Sequence, residues 1–193
     1  MINGSPRKNG TTAFILDRIA KKLDVPGLTI TRHCLGTKTI NFCTGCRKCE
    51  ETAQCIHNDD TAAIIEDIKK CDFFIAASPS YWGDITGQFK TFIDRNLHLC
   101  NTAPCYPVLP KGKTSASIAV RTGKNEEENI HIIKTLEHYF GHLGIEPVLS
   151  LSITKASSPD DIRNNPEALR KTDGFAEKLN RHLTTEKNSS TQI

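Results

Sequence analysis

Aromatic side chains are scarce in this chain, 6% in all with one tryptophan, and its charges nearly cancel, with 25 lysines and arginines against 22 aspartates and glutamates. A net charge of +3 over 193 residues is too slight, and too evenly spread, to mark nucleic acid or an anionic membrane as a partner. No stretch approaches the roughly 18 apolar residues of a membrane span. The opening MINGSPRKNG also lacks the apolar centre of a secretory signal. These absences lead us to expect a cytoplasmic protein with no membrane or nucleic-acid partner. Glycine and proline, 12 and 9 residues, are too few for a fibrous or broadly disordered chain. What remains, 37% hydrophobic and 24% charged, suits one compact domain over residues 1–183, with the polar stretch 184–193 expected as a loose tail.

Periodic segments alternate in type along the chain. Met1 to Asn3 reads as a short strand, and residues 11–23 as a helix whose Ile15, Ile19 and Leu23 share a face. LTITRHC, residues 28–34, alternates and is β-branched, as a half-exposed strand would be. Asp59 and Asp60 offer N-cap carboxylates to a helix carrying Ile64, Ile68 and Cys71. FFIAA, residues 73–77, is continuously apolar and so belongs at a sheet centre covered on both faces. A helix with Phe89, Phe92, Ile93 and Leu97 follows, then a strand over 114–120, a helix over 126–140, a strand over 146–153 and a helix over 166–183. Pro147 removes a ladder donor and favours a sheet edge for the last strand. Helical crossovers of this kind return each strand parallel to its predecessor. The expected fold is α/β, a flavodoxin-like doubly wound five-stranded parallel sheet of order 2-1-3-4-5 with helices on both faces, whose ligands bind at the carboxyl ends of the strands.

Three loops lie at that rim. GSPRKNGTT, residues 4–12, supplies hydroxyls, backbone amides and an arginine at a helix N-terminus, which is chemistry for a phosphate. It has neither the GxGxxG nor the GxxxxGK(S/T) pattern, and its plainer reading is a capped glycine turn. SPSYWGDIT, residues 78–86, brings the lone tryptophan beside a tyrosine, able either to line a flat heteroaromatic ring or simply to pack. RTGKN, residues 121–125, follows the fourth strand and alone reads as a capped turn. Glu126 to Glu128 read as the acidic first turn of a helix, and Asp94 with Arg95 as a structural pair.

Cysteine, by contrast, is abundant: eight residues, of which Cys43, Cys46, Cys49 and Cys55 follow the pattern CxxCxxCx5C. Three thiols at intervals of three can converge on one small centre, a spacing closer to iron-sulfur runs than to structural zinc. The other reading is a thiol-rich loop without a resident metal. Cys100 and Cys105 read as surface thiols, with pairing as the alternative, and His57 and His98 receive no role.

Taken together, GSPRKNGTT, CxxCxxCx5C followed by an Asp-Asp pair, SPSYWGDITGQFKTFIDR and TGKNEEE resemble the NADPH-dependent FMN reductase and iron-sulfur flavoprotein family over about residues 1–150. The resemblance implies that Ser5, Arg7, Asn9, Thr11 and Thr12 hold the FMN phosphate. It implies that Pro79, Ser80, Tyr81, Trp82 and Gly83, with Thr122 and Gly123, border the isoalloxazine, and that Cys43, Cys46, Cys49 and Cys55 carry a [4Fe-4S] cluster. The implied activity is NAD(P)H-dependent FMN oxidoreduction to a small-molecule or protein acceptor, with no side chain acting as acid, base or nucleophile. The alternative is an electron carrier exchanging with a ferredoxin-like partner, and a homodimer or homotetramer is implied in either case. Family members carry more apolar residues ahead of the GSPR loop, so the reading also expects the coding sequence to begin upstream of Met1.

Overall fold

The computed structural model describes residues 1–103 and 109–190. Those residues form one sheet of five parallel strands in the order β2-β1-β3-β4-β5, the expected flavodoxin-like order. The strands are β1 (Ile2–Asn3), β2 (His33–Cys34), β3 (Phe73–Pro79), β4 (Thr114–Val120) and β5 (Glu146–Ile153). Around them lie α1 (Thr11–Lys22), α2 (Lys48–Thr52), α3 (Thr61–Lys70), α4 (Gly87–Asp94), α5 (Glu126–His142), α6 (Pro159–Arg163) and α7 (Pro166–Ser190).

The period of two along β3 divides the core. Phe74 and Ala76 face one layer, where Ile64 and Ile68 of α3, Phe89 and Phe92 of α4 and Ile132, Leu136 and Phe140 of α5 are buried. Ile75 and Ala77 face the other, against Ile15 and Ile19 of α1, Ile162 of α6 and Phe175 and Leu179 of α7. Phe74 meets Phe140 edge to face at 5.1 Å between ring centres. β4 (TSASIAV) is buried along its whole length and composed largely of small residues, which lets helices on both faces come close. At the edge, Pro147 opposes Ser115, and the β4–β5 register shifts between Ser115 and Ala116.

Several boundaries differ from expectation. Of residues 28–34 only His33 and Cys34 form a strand, paired with Ile2 and Asn3 of β1. Asp60 holds the N-cap position of α3 but makes no side-chain cap bond. Its carboxylate is taken by Lys38 Nζ at 3.1 Å and the Thr39 amide at 2.7 Å, and Asp59 accepts from the Thr61 amide instead. α7 runs past residue 183 to Ser190, with Thr184 and Thr185 returning hydroxyl bonds to Asn180 and Arg181 carbonyls. Residues 191–193 lie outside the described ones. α6 arises from a capping box: the Ser158 hydroxyl accepts from the Asp161 amide while the Asp161 carboxylate accepts from the Ser158 amide, with Pro159 opening the helix. Among the described residues no helix is long and apolar enough to cross a membrane.

Candidate functional site

The loops after β1, β3 and β4 meet at the carboxyl rim of the sheet around a cavity of about 60 Å³. That is several times the roughly 10–15 Å³ one water needs, so the space suits a group the size of a phosphate. Ser5, Arg7, Thr11, Thr12, Pro79, Ser80, Tyr81 and Thr122 line it, joined by Val120, Arg121 and Ala156. Asn9, Trp82, Gly83 and Gly123 do not.

The first loop is held by its own bonds. Asn3 Oδ1 accepts from the Ser5 amide at 3.0 Å, Ser5 Oγ from the Arg7 amide at 3.1 Å and the Arg7 carbonyl from the Gly10 amide at 3.2 Å. Gly10, at the N-cap of α1, supplies no capping side chain, and the first turn of α1 carries no acid. The helix therefore turns an uncapped, positive terminus to the cavity. Thr11 Oγ1 is buried there without a hydrogen-bond partner. An orphaned hydroxyl costs about 1–3 kcal/mol, and beside uncapped amides it is the donor an anion would satisfy. These features fit the phosphate end of FMN.

Neighbouring elements fix the loop from outside. Thr86 caps α4 by accepting from the Phe89 amide and donates to the Gly4 carbonyl at 2.6 Å. Gly36 passes so near that a Cβ there would lie 2.6 Å from the Pro6 carbonyl oxygen and 2.7 Å from the Ser5 one. Neither is a side chain that can swing aside. Gly36→Ala is therefore expected to cost about 1–3 kcal/mol and to lower FMN retention. Thermal denaturation and flavin content would both register it, and unchanged values would show that the loop yields freely.

At the third loop, the Arg121 side chain bonds Glu128 Oε2 at 3.0 Å and the Asn125 carbonyl at 2.6 Å. Its Nε is buried without a partner. Ser80 Oγ donates to Glu128 Oε2 at 3.3 Å, so one carboxylate ties the second and third loops together. Gly123 serves by being small, since a Cβ there would meet the guanidinium at 2.6 Å. Sequence reasoning missed Arg121 and read Glu128 only as a helix-terminal charge. A cation one residue past β4, at the rim, was a usable signal for Arg121, whereas nothing local foretold the contact from Glu128 to Ser80.

The second loop turns tightly between Tyr81 and Asp84, whose amides and carbonyls bond reciprocally at 2.9 and 3.2 Å. Trp82 and Gly83 at its tip have φ of 56° and 80°, the positive pair of a type I′ turn. The turn leaves Trp82 fully in solvent at 105% relative exposure, while Tyr81 reaches the cavity.

The cysteine loop leaves the body of the protein through a closed neck. Asp59 Oδ2 accepts from the Asn41 amide at 2.9 Å and from Arg95 at 2.6 Å, and Arg95 also donates to the Asn41 carbonyl at 2.8 Å and to Cys55 Sγ at 3.3 Å. The Arg95 and Asp59 side chains are 1% and 2% exposed. Arg95 thus pairs with Asp59, and not with its neighbour Asp94, which goes to Lys90. Burial pushes the Asp59 carboxyl up, but hydrogen bonds from Arg95 and the Asn41 and Thr61 amides outweigh it and hold the group well below the usual carboxylate range. Beyond the neck, Cys43 and Cys46 are exposed and Cys49 and Cys55 partly so. Burial and then the neighbouring Cys55, Cys43 and Cys46 raise the Cys49 thiol pKa. The donor set matches an iron-sulfur cluster in kind and number. No three His, Cys, Asp or Glu side chains among the described residues are gathered to hold a metal ion. The alternative pairing of Cys100 with Cys105 involves a residue outside the described ones.

The model of the family described as NADPH-dependent FMN reductase matches residues 1–131. An iron-sulfur flavoprotein of Archaeoglobus fulgidus is 37% identical over 129 residues, 67% of this chain and 56% of that protein. One of Methanocaldococcus jannaschii is 33% identical over 140 residues, 72% of this chain and 68% of that one. The chain thus spans little more than half the length of the first of these relatives. Among solved structures, an NAD(P)H:quinone oxidoreductase from Methanothermobacter marburgensis superposes with a TM-score of 0.68 at 15% identity, covering 92% of this chain and 94% of that one. That likeness shows the fold.

Proposed function

Since this chain belongs to the NADPH-dependent FMN reductase family, we propose that it is an FMN-dependent oxidoreductase drawing electrons from NAD(P)H. The observation that carries the reading is the buried, unpartnered hydroxyl of Thr11, a residue that opens the uncapped α1 and lines a phosphate-sized cavity at the sheet rim. When bound, FMN supplies the hydride-accepting centre between nicotinamide and acceptor. The chain supplies the grip. Ser5, Arg7, Thr11, Thr12 and the first amides of α1 would hold the phosphate, while Pro79, Ser80, Tyr81 and Thr122 would border the ring system. Arg121, steadied by Glu128, adds a cation at the edge of that space. Asn9, Trp82, Gly83 and Gly123 serve in this scheme through the loops they shape.

The four cysteines favour a second redox group. In this reading Cys43, Cys46, Cys49 and Cys55 would hold a [4Fe-4S] cluster, which would let the protein exchange single electrons with a ferredoxin-like partner. Supporting it are the donor set, the pinned neck of the loop and the iron-sulfur names of the relatives. One preparation tests both readings. Protein isolated without oxygen and offered FMN is expected to show a flavin spectrum that NADH or NADPH bleaches, and to contain iron and acid-labile sulfide. Colourless protein after FMN is supplied would end the first reading. Absence of iron and sulfide after reconstitution would end the second alone.

A further inference from the structure

A pair of histidines far from the sheet rim has the geometry of a metal chelate. His138 and His142 lie one turn apart on α5, both exposed, with their Nε2 atoms 3.0 Å from each other. Two imidazole nitrogens bound to one ion at 2.0–2.1 Å sit about 2.9 Å apart at a right angle and about 3.3 Å apart at a tetrahedral one. The observed spacing falls between them. We infer that His138 and His142 form a surface site for a divalent transition metal of the zinc, nickel and copper class, which imidazole suits.

The surroundings support ligation through Nε2. His142 turns its other nitrogen, Nδ1, to Cys100 Sγ at 3.5 Å. Bound imidazoles are commonly oriented by such a contact on the far side of the ring. The segment bearing Cys100 is itself fastened to the end of α5: the Asn101 amide donates to the His142 carbonyl at 2.7 Å, and Asn101 Nδ2 to the Gly141 carbonyl at 3.4 Å. The rings stand edge to face with centroids 4.5 Å apart. The pair occupies the last turn of α5, where the helix dipole favours positive charge. A metal needs the lone pair of each Nε2, so the hydrogen joining the two rings in the metal-free protein must leave that position, either to the far nitrogen of its own ring or to solvent. No third His, Cys, Asp or Glu joins the pair among the described residues, so water completes the coordination and the ion exchanges readily.

The test is equilibrium dialysis of FMN-loaded protein against zinc chloride, counting zinc per chain at saturation. Each variant keeps the cysteine loop, so differences between them report the histidine pair. Wild type is expected to bind one zinc more than His138→Gln and one more than His142→Gln. His131→Gln, an exposed histidine of the same helix that lies outside the pair, is expected to match wild type. Equal counts in wild type and both pair variants would overturn the site, and so would the same deficit in His131→Gln.

Discussion

Replacing Asp59 with alanine is expected to destabilise the protein by about 3–5 kcal/mol, the cost of leaving a buried charge without its partner. Arg95 and Asp59 are almost wholly withdrawn from water, so Asp59→Ala would strand a guanidinium with only the Asn41 carbonyl and Cys55 sulfur to face. Urea denaturation followed by far-ultraviolet circular dichroism measures it. A loss below about 1 kcal/mol, the range of surface ion pairs, would show that the neck is wetter than the structure has it. Exchanging both partners, Asp59→Leu with Arg95→Met, is expected to recover much of the loss, because two apolar groups need no mutual compensation.

The pH dependence has a definite sign. The folded-state pKa of Asp59 is depressed below its ordinary 3.8. Its stabilising contribution is therefore complete above that value and drains away as pH falls toward the folded one. Wild type should lose stability on acidification below about pH 4, and Asp59→Asn, which has no such carboxylate to protonate, should lose less.

The second large effect concerns FMN. Thr11→Val together with Arg7→Ala is expected to raise the FMN dissociation constant at least about 100-fold, because hydrogen bonds to a charged group contribute about 1.5–3 kcal/mol each and 1.4 kcal/mol is a factor of ten. Thr11→Val alone separates a binding role from a structural one. It removes an unpartnered buried hydroxyl and fills the same space, so the apoprotein should be as stable as wild type or more so while its affinity falls. Quenching of flavin fluorescence on titration gives the affinity. Wild-type affinity in the double variant would mean that the phosphate sits elsewhere.

Much of this was legible in the sequence because its signals were local. β4 and β5 fall on the expected residues 114–120 and 146–153, and the proline read as an edge signal lies in β5, which ends the sheet. The rim loops follow from strand order, and eight of the twelve residues proposed for FMN line the cavity: Ser5, Arg7, Thr11, Thr12, Pro79, Ser80, Tyr81 and Thr122. What escaped was decided by partners distant along the chain. Alternation in residues 28–34 reports a half-exposed face but says nothing of how many of them pair with β1. Arg95 stands next to Asp94 in sequence yet bonds Asp59, 36 residues away, and Glu128 meets Ser80, 48 residues away. The α6 capping box was readable from Ser158-Pro159-Asp160-Asp161 and went unread.

Trp82 has a practical bearing on how this protein can be watched. It is the chain's single tryptophan, and in the native fold its indole already stands in water. Its emission should hardly change when the core melts, so an intrinsic-fluorescence melting curve would make a disrupted protein look intact. The same residue would instead brighten, dim or shift when another molecule came to rest against the tip of its turn, which makes it a built-in reporter of encounters at that surface.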